Sequence, residues 1–194
     1  MQSSLEQFIE HAKEHTVIPV WKELVADLIT PVSAFERIVG DQPGFLLESV
    51  EHGERWSRWS FIGRNPLLTI KKIDSQLLIE GEIPIEFDVN GQILESVRAL
   101  QRTLSAPQIE NFPPMYSGLL GYLGYDTVRE IEDLPTPANN DLQVPDAILS
   151  VIGEVAAFDH WSQRVFLIAN AIVKPQSSKH EIVESYYETK NRLD

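Results

Sequence analysis

The sequence predicts an α+β fold, built mainly on an antiparallel β-sheet or on two such sheets packed together. Apolar stretches of strand length follow one another around short turns, as they do in hairpins. Amphipathic helices are inserted between these hairpins and do not alternate one for one with strands, which favours α+β over α/β. The 194 residues are 43% hydrophobic, enough for a sizeable core, and we expect residues 1–194 to form a single domain.

The first three predicted elements are a helix, a strand and a second helix. Serines paired with Glu or Gln three residues later in the segment 3–7 offer a capping box for the first helix. Residues 17–25 form the strand. The second helix begins at Thr30 and Pro31, because threonine can cap a helix and proline suits its first turn, and it ends at Gly40.

The middle of the chain predicts a run of strands followed by one helix. Residues 44–50 and 59–63 are apolar enough for buried strands. Residues 67–72 and 76–80 form a predicted hairpin. Residues 90–104 carry their apolar side chains at helical spacing, which predicts an amphipathic helix.

The last part predicts a glycine-spaced strand over 117–125, a short helix from Asp126 and then a long hairpin. The two arms of that hairpin are residues 147–159 and 164–173. A final helix spans residues 178–194 and has a capping box at its start.

The composition excludes several classes of protein. A net charge of −13 argues against binding to nucleic acid, which depends on Lys and Arg contacts to phosphate, and against binding to an anionic membrane. The chain contains no cysteine, so disulfides, thiolate zinc sites and a cysteine nucleophile are excluded. Its N-terminus lacks the apolar run of a signal peptide, and no stretch is long enough to cross a membrane. We expect a cytoplasmic protein.

No motif predicts catalysis, and we expect no catalytic or metal-binding residue in this chain. His11 and His15 are one helical turn apart, but the sequence offers no third ligand beside them. Gly118, Gly121 and Gly124 match neither the dinucleotide-binding pattern nor the P-loop pattern. Glycines inside an apolar strand are more typical of close backbone packing or of a bulge.

Four segments, taken in their order and spacing, change the interpretation. Together they resemble the N-terminal region of anthranilate synthase component I, the large subunit of a chorismate-using enzyme family. The resemblance extends from about Ile18 to the final helix. The segments are TPVSAF at 30–35, FLLESVEHGERWSRWSFIG at 45–63, GLLGYLGYDTVREIEDLP at 118–135 and FDHWSQRVFLIAN at 158–170.

The resemblance implies a role in tryptophan biosynthesis. The complete enzyme of this family is a lyase that makes anthranilate and pyruvate from chorismate and ammonia, and a glutamine amidotransferase subunit supplies the ammonia. Its chorismate and Mg²⁺ sites lie in a C-terminal catalytic region, which completes the chorismate-binding fold and is not in this chain. We therefore expect the chain alone to be inactive and to carry the site of feedback inhibition by tryptophan.

The resemblance also implies which residues bind the effector L-tryptophan. They are Leu47, Glu48 and Ser49 of the LLES strand, together with Pro31 and Arg58. The chemistry suits a zwitterion with a flat apolar side chain. Glu48 can accept from the ammonium group, Arg58 can donate to the carboxylate, and Leu47 with Pro31 can line an apolar slot.

Alternation along the strand leaves a second interpretation open. It sends Leu47 and Ser49 to one face and Glu48 to the other, so Glu48 and Ser49 reach one pocket only through a bulge or through a backbone group. Glu48 could instead form an ion pair with Arg55 or Arg58.

Three other functions compete with the regulatory half of anthranilate synthase. One is the corresponding region of aminodeoxychorismate synthase, which shares the fold. The second is a stand-alone module that binds an amino acid without any enzyme, and the third is a structural scaffold with a vestigial pocket. A longer reading frame separates the stand-alone module from the enzyme, and a tryptophan-binding measurement separates the scaffold from both.

Overall fold

The computed structural model describes residues 2–48, 58–73, 76–135 and 144–193. Its helices are α1 (Leu5–His11), α2 (Pro31–Ile38), α3 (Ile93–Thr103) and α4 (Lys179–Asn191), and a 3₁₀ helix covers Tyr125–Glu130. Its strands are β1 (Val17–Val25), β2 (Gly44–Glu48), β3 (Trp59–Arg64), β4 (Leu68–Ile73), β5 (Gln76–Gly81), β6 (Leu119–Leu123), β7 (Ala147–Val151), β8 (Glu154–Asp159) and β9 (Arg164–Ile172).

The strands form two antiparallel sheets. Sheet A has five strands in the order β1-β9-β8-β3-β2, and sheet B has four in the order β5-β4-β7-β6. The α+β class with mainly antiparallel sheet is therefore confirmed. β2 lies at an edge of sheet A, so one side of this strand has no neighbouring strand among those the structure describes.

Three helices cover one face of sheet A. α1 and α4 pack over β1 and β9, where Phe8 and Tyr186 meet edge to face with ring centroids 5.4 Å apart. α2 packs over β3 and β8, with Ala34 against Ile62 and Phe158. The predicted caps explain where these helices begin: the side chains of Ser4, Thr30 and Ser178 each accept from a backbone N–H three residues later.

The opposite face of sheet A is aromatic, and the segment 109–116 partly covers it. Phe112 contacts Trp21 and Phe166 edge to face, and Trp59 stacks on Phe61 with ring centroids 6.2 Å apart. This aromatic face continues towards sheet B through Leu120. Sheet A is thus packed on both faces, by helices on one and by aromatic side chains on the other.

Sheet B packs one face against α3, with Ile70 and Leu100 in its core. The start of α3 is held by Glu130 of the 3₁₀ helix. The Glu130 carboxylate accepts from the backbone N–H groups of Ile93 and Leu94, at 2.9 Å each, and from the Lys72 ammonium at 2.5 Å. A side chain distant in sequence therefore supplies the cap that Gln92, the residue at the cap position, does not provide.

The prediction of one continuous strand over 147–159 is wrong. The chain leaves sheet B after Val151 and enters sheet A at Glu154. Gly153 lies at this crossing, where a Cβ atom would come within 1.9 Å of the Asn65 carbonyl oxygen. An apolar pattern does not show where a strand changes sheets, because residues on both sides of the crossing are buried.

Other predictions needed smaller corrections. The helix expected from Asp126 is a 3₁₀ helix, and the helix predicted from residue 90 begins at Ile93. Gly121 and Gly124 are close-packed as predicted, since a Cβ atom would lie 1.8 Å and 2.7 Å from carbonyl oxygens of β7 and of the residue before it. The same prediction is wrong for Gly118, which precedes β6 and has open space where a Cβ atom would lie; its φ of +124° instead favours glycine. In the part of the chain that the structure describes, no helix is both long and apolar enough to cross a membrane.

Candidate functional site

The site residues implied by the resemblance lie at one end of sheet A. At the other end, Nη1 of Arg64 donates to the Ile38 carbonyl at 2.9 Å, and Arg64 pairs with Gly44, the first residue of β2. Ala34, nearer the start of α2, shares a hydrophobic cluster with Phe158, which pairs with Ser60 at the opposite end of β3. α2 and β2 therefore run in opposite directions. Pro31, which begins α2, and Glu48, which ends β2, consequently lie at the same end of the sheet.

The register of β2 divides these residues between the two faces of the sheet. Glu48 pairs with Ser60, and Leu47 pairs with Phe61. Residues paired directly across an antiparallel ladder share a face. Ser60 lies on the same side of β3 as Ile62, which packs against α2, so Glu48 is on the helical face. Leu47 is on the aromatic face with Phe61, and 42% of it is exposed.

Arg58 is held in place by a bidentate ion pair. Its Nε and Nη2 donate to the two carboxylate oxygens of Asp159 at 3.0 and 2.6 Å. The backbone N–H of Trp161 donates to the same carboxylate at 3.1 Å. The Asp159 side chain is only 4% exposed, whereas that of Arg58 is 38% exposed. A buried carboxylate thus fixes a cation that still reaches solvent.

Two indole rings fix the plane of the Arg58 guanidinium. Its central carbon lies 4.9 Å from the ring centroid of Trp59 and 5.1 Å from that of Trp161, distances at which cation–π attraction is effective. Nη1 of Arg58 takes no part in the contact with Asp159, so this edge of the guanidinium is available to donate. Trp161 is 62% exposed. The arrangement can therefore bind an anion beside an exposed aromatic surface.

Asp159 stays ionised in this setting. Burial acts to raise the pKa of its carboxyl, but the hydrogen bonds from Arg58, Ser162 and the Trp161 N–H outweigh burial and hold the pKa below its ordinary value of 3.8. The same hydrogen bond to Asp159 raises the pKa of Arg58. The pair is therefore charged at neutral pH.

A second contact ties the β8–β9 turn to β3 on the helical face. The Ser60 hydroxyl lies 2.7 Å from Nε2 of His160, and the His160 backbone N–H donates to the Arg58 carbonyl at 2.9 Å. Ser60 is 2% exposed and Asp159 is engaged by Arg58, so these residues are not arranged as a nucleophile with its base and orienting acid. The contact instead fixes the position of the turn.

A small polar pocket of about 130 Å³ opens beside this turn. Asp27, Ile29, His160 and Arg164 are among the residues that line it. It lies close to the start of α2, since Ile29 precedes the cap residue Thr30. A larger apolar pocket of about 220 Å³ lies at the opposite end of β2, where Gly44, Phe45 and residues of β6 and β7 line it.

Comparison with known proteins gives the chain its relatives, although no family model matches the sequence. Anthranilate synthase component 1 of Mycolicibacterium smegmatis is 40% identical over 171 residues, which are 88% of this chain and 33% of that protein. The protein of the same name from Arthrobacter globiformis is 37% identical over 190 residues, 97% of this chain and 36% of that protein. By sequence, the chain is a relative of anthranilate synthase component 1.

The fold agrees with these anthranilate synthase relatives. A crystal structure of anthranilate synthase component I from Streptococcus pneumoniae TIGR4 matches 88% of this chain and 36% of that one, with a TM-score of 0.50 and 22% identity. The chain corresponds to an N-terminal piece of the family and spans about a third of the length of the curated relatives it matches.

The structure places the residues implied by the anthranilate synthase resemblance in two groups. Glu48 and Pro31 lie towards the helical face, whereas Leu47 and the Arg58 guanidinium lie towards the aromatic face. Ser49 and Arg55 lie outside the described residues. The ion pair that the structure shows for Arg58 is with Asp159, the acid directly across from Trp59.

Sequence reasoning missed Asp159, His160 and Trp161 as contributors to this end of the sheet. They belong to the segment FDHWSQRVFLIAN, which contributes to the anthranilate synthase resemblance but whose pattern predicts only part of a hairpin. The sequence feature that could have indicated their role is an Asp, a His and a Trp in succession at a predicted turn. Only the pairing of β3 with β8 shows that they meet Arg58 and Ser60.

The residues described here do not fit a magnesium site. In the part of the chain that the structure covers, no group of three or more His, Asp or Glu side chains is arranged to hold a metal ion. The carboxylates of Asp159 and Glu130, which are buried, are already occupied by a cation and by backbone N–H groups.

Proposed function

We propose that this chain is the effector-binding, N-terminal region of an anthranilate synthase large subunit and that its effector is L-tryptophan. The proposal is supported by the similarity to anthranilate synthase component 1 over 88–97% of the chain. The relatives reported above carry that name, which favours this branch over aminodeoxychorismate synthase. The observation on which the effector site depends is the Arg58 guanidinium, which Asp159 and two indole rings hold at the aromatic face that also carries Leu47.

The aromatic face supplies two of the three groups that tryptophan requires. Nη1 of Arg58 is the donor for the effector carboxylate, and the bidentate contact with Asp159 orients this donor in advance. Trp161, which is 62% exposed beside Arg58, and Leu47, which is 42% exposed on the same face of the sheet, are apolar surfaces suited to an indole ring. Strand alternation would add Ser49 to the same face as Leu47.

The ammonium group requires an acceptor, which we assign to Glu48. Glu48 is exposed and lies on the helical face with Pro31. Because β2 is the edge strand of sheet A among the described residues, an effector at its end can contact both faces of the sheet. We therefore place the effector across the end of β2, with its carboxylate on the Arg58 side and its ammonium on the Glu48 side.

Calorimetric titration of the chain with L-tryptophan tests this site. Arg58→Gln should weaken binding about tenfold or more, since it removes a charge-assisted hydrogen bond. Arg102→Gln, which changes an exposed arginine on α3, should bind like wild type. Glycine and L-phenylalanine serve as ligand controls. Equal affinities for the Arg58 and Arg102 variants would contradict the assignment of Arg58.

Ser49→Phe tests the site in a complete enzyme that carries this region. A phenyl ring at the rim should block tryptophan, so the variant should resist inhibition while its uninhibited turnover stays unchanged. Activity is measured against tryptophan concentration for wild type, Ser49→Phe and Ser49→Ala, and the alanine variant should shift the curve by up to about tenfold. Coincident curves for wild type and Ser49→Phe would remove Ser49 from the site.

We assign the catalytic activity to parts of the complete enzyme other than these residues. In the complete enzyme we propose chorismate and ammonia as substrates, Mg²⁺ as the metal of the catalytic region, and a glutamine amidotransferase subunit as the ammonia source. The chain alone, with chorismate, ammonium and Mg²⁺, should then show no increase in anthranilate fluorescence. An increase proportional to protein concentration would overturn this assignment.

Exposed apolar side chains at the end of β6 and in the segment after it suit the docking of that catalytic region. Leu123, Tyr125 and Ile131 are 48%, 87% and 73% exposed, and exposed apolar side chains are typical of interfaces when they form one patch. The isolated chain should therefore self-associate more than its net charge of −13 suggests. Light scattering that shows a monomer at high concentration, with no binding of a hydrophobic dye, would count against a docking role.

A further inference from the structure

A cavity between α2 and α4 has more positive than negative charge around it. Arg64 and Arg192 both approach the Glu154 carboxylate. Nε of Arg64 donates to it at 2.8 Å, and Nε of Arg192 lies 3.4 Å from its second oxygen. Asn65 adds a neutral hydrogen bond at 3.1 Å. Among the residues that line the cavity, two guanidinium groups therefore share a single carboxylate.

Arg192 is the less satisfied of the two cations. Its Nη2 donates to the carbonyl oxygens of Gly153 and Asn170 at 3.2 and 3.0 Å, which holds the side chain in place. Its Nε is buried, and the acceptor it faces is the Glu154 carboxylate at 3.4 Å, which is long for a charge-assisted hydrogen bond. Burial lowers the pKa of Arg192, and the charge of Glu154 and its hydrogen bond oppose this effect. Arg192 is therefore less well balanced by Glu154 than Arg64 is.

The rest of the cavity is apolar and has a defined size. Ile62, Ala156 and Leu167 form its floor on the helical face of sheet A, and Ile38 and Leu193 form its walls. Its volume is about 210 Å³. An apolar cavity of roughly 150 Å³ is known to hold benzene, so this one can hold a single ring with a short substituent.

We propose that this cavity is a second binding site, which takes a small apolar carboxylate. The ligand's ring or alkyl body lies over Ala156 and Leu167, and its carboxylate lies beside the Arg192 guanidinium, which lines the cavity, and balances the excess positive charge. One excess charge and an apolar floor favour a monoanion over a phosphate, which carries more charge and no apolar surface. The site does not depend on the proposed tryptophan site, since its residues differ from those around Arg58.

NMR titration of the wild-type chain tests the proposal directly. Phenylacetate should shift the Arg192 Nε–H resonance and the backbone amides of β8 and β9 with a single saturating curve. 2-Phenylethanol and 2-phenylethylamine, which keep the ring but replace the carboxylate with a neutral or positive group, should bind at least tenfold more weakly. An unmoved Arg192 resonance, or equal affinities for the acid and the alcohol, would overturn the site.

Variants separate this cavity from the tryptophan site. Arg192→Gln should weaken phenylacetate about tenfold, while Arg102→Gln should not. Leu167→Phe keeps both guanidinium groups but fills the floor, so it should also abolish binding, and it serves if Arg192→Gln does not fold. Arg58→Gln should leave phenylacetate affinity unchanged. If Arg58→Gln weakens phenylacetate and Leu167→Phe does not, the ligand binds beside β2 and the second site is rejected.

Discussion

Two buried carboxylates, one in each half of the molecule, use the same chemistry for different purposes. Glu130 holds the 3₁₀ helix against β4 and the start of α3, and Asp159 holds Arg58 at the end of sheet A. The two side chains are 6% and 4% exposed. Each carboxylate is paired with one cation. Glu130 also accepts from two backbone N–H groups and Asp159 from one. The pKa of each carboxyl is lowered.

The difference lies in the cation. Lys72, the partner of Glu130, is 14% exposed, whereas Arg58, the partner of Asp159, is 38% exposed and stacks between two indole rings. The Glu130 cluster is directed inwards and stabilises the fold. The Asp159 cluster presents a charged edge to solvent. The exposure of the partner, and not that of the acid, separates a structural ion pair from a candidate binding group.

Removal of the Glu130 charge should have the largest effect on stability. Glu130→Gln leaves Lys72 buried without its counter-ion and weakens the two hydrogen bonds at the start of α3. We expect the free energy of unfolding to fall by about 3 kcal/mol. Urea unfolding measures it, with the exposed Glu132→Gln as the matched control. Equal stabilities for the two variants would mean that Glu130 is not a structural anchor.

Lowering the pH should remove part of the stability that the Glu130 carboxylate contributes. Burial acts to raise the pKa of Glu130, but Lys72 and the two N–H groups lower it below the ordinary value of 4.5. A carboxyl with a lowered pKa stabilises the fold above its unfolded pKa, and that contribution is lost as the pH falls through the folded value. The stability gap between wild type and Glu130→Gln should therefore be constant near neutral pH and narrow below pH 4.5. A gap that widens in acid would contradict the lowered pKa.

Asp159→Asn should cost less than Glu130→Gln, although the two acids are equally buried. Water can solvate the exposed Arg58 after its partner is lost, so we expect a decrease of about 1 kcal/mol in the free energy of unfolding. Tryptophan affinity should fall more clearly, because the guanidinium loses its orientation. If Asp159→Asn destabilises the fold as much as Glu130→Gln does, the distinction drawn from the exposure of the cation is wrong.

The smallest effect should come from the neutral contact on the helical face. Ser60→Ala removes one hydrogen bond to His160, whose ring is exposed and can bond to water instead. We expect a loss of about 0.5–1 kcal/mol. A double-mutant cycle with His160→Ala in urea measures the coupling between the two side chains. Additive effects would show that the 2.7 Å contact contributes nothing to holding the turn.

Most elements could be predicted because their signals are local. The cap at Thr30, the proline at the first position of α2 and Gly40, with φ +57°, define that helix within a few residues. The antiparallel class followed from hairpins with short turns. The division of residues 147–159 between two sheets could not be predicted, since it depends on which strands lie beside each half.

The sequence by itself determined the α+β class and the family resemblance, and that resemblance implied the effector site that we propose at positions 47–49. Tertiary structure decided which of these residues share a face, because strand register sends Leu47 and Glu48 to opposite sides. It also decided that Arg58 binds Asp159, a residue 101 positions away, and that Arg192 reaches Glu154 across the cavity. Contacts of this kind depend on strand pairing and helix packing over long sequence separations, and no local pattern records them.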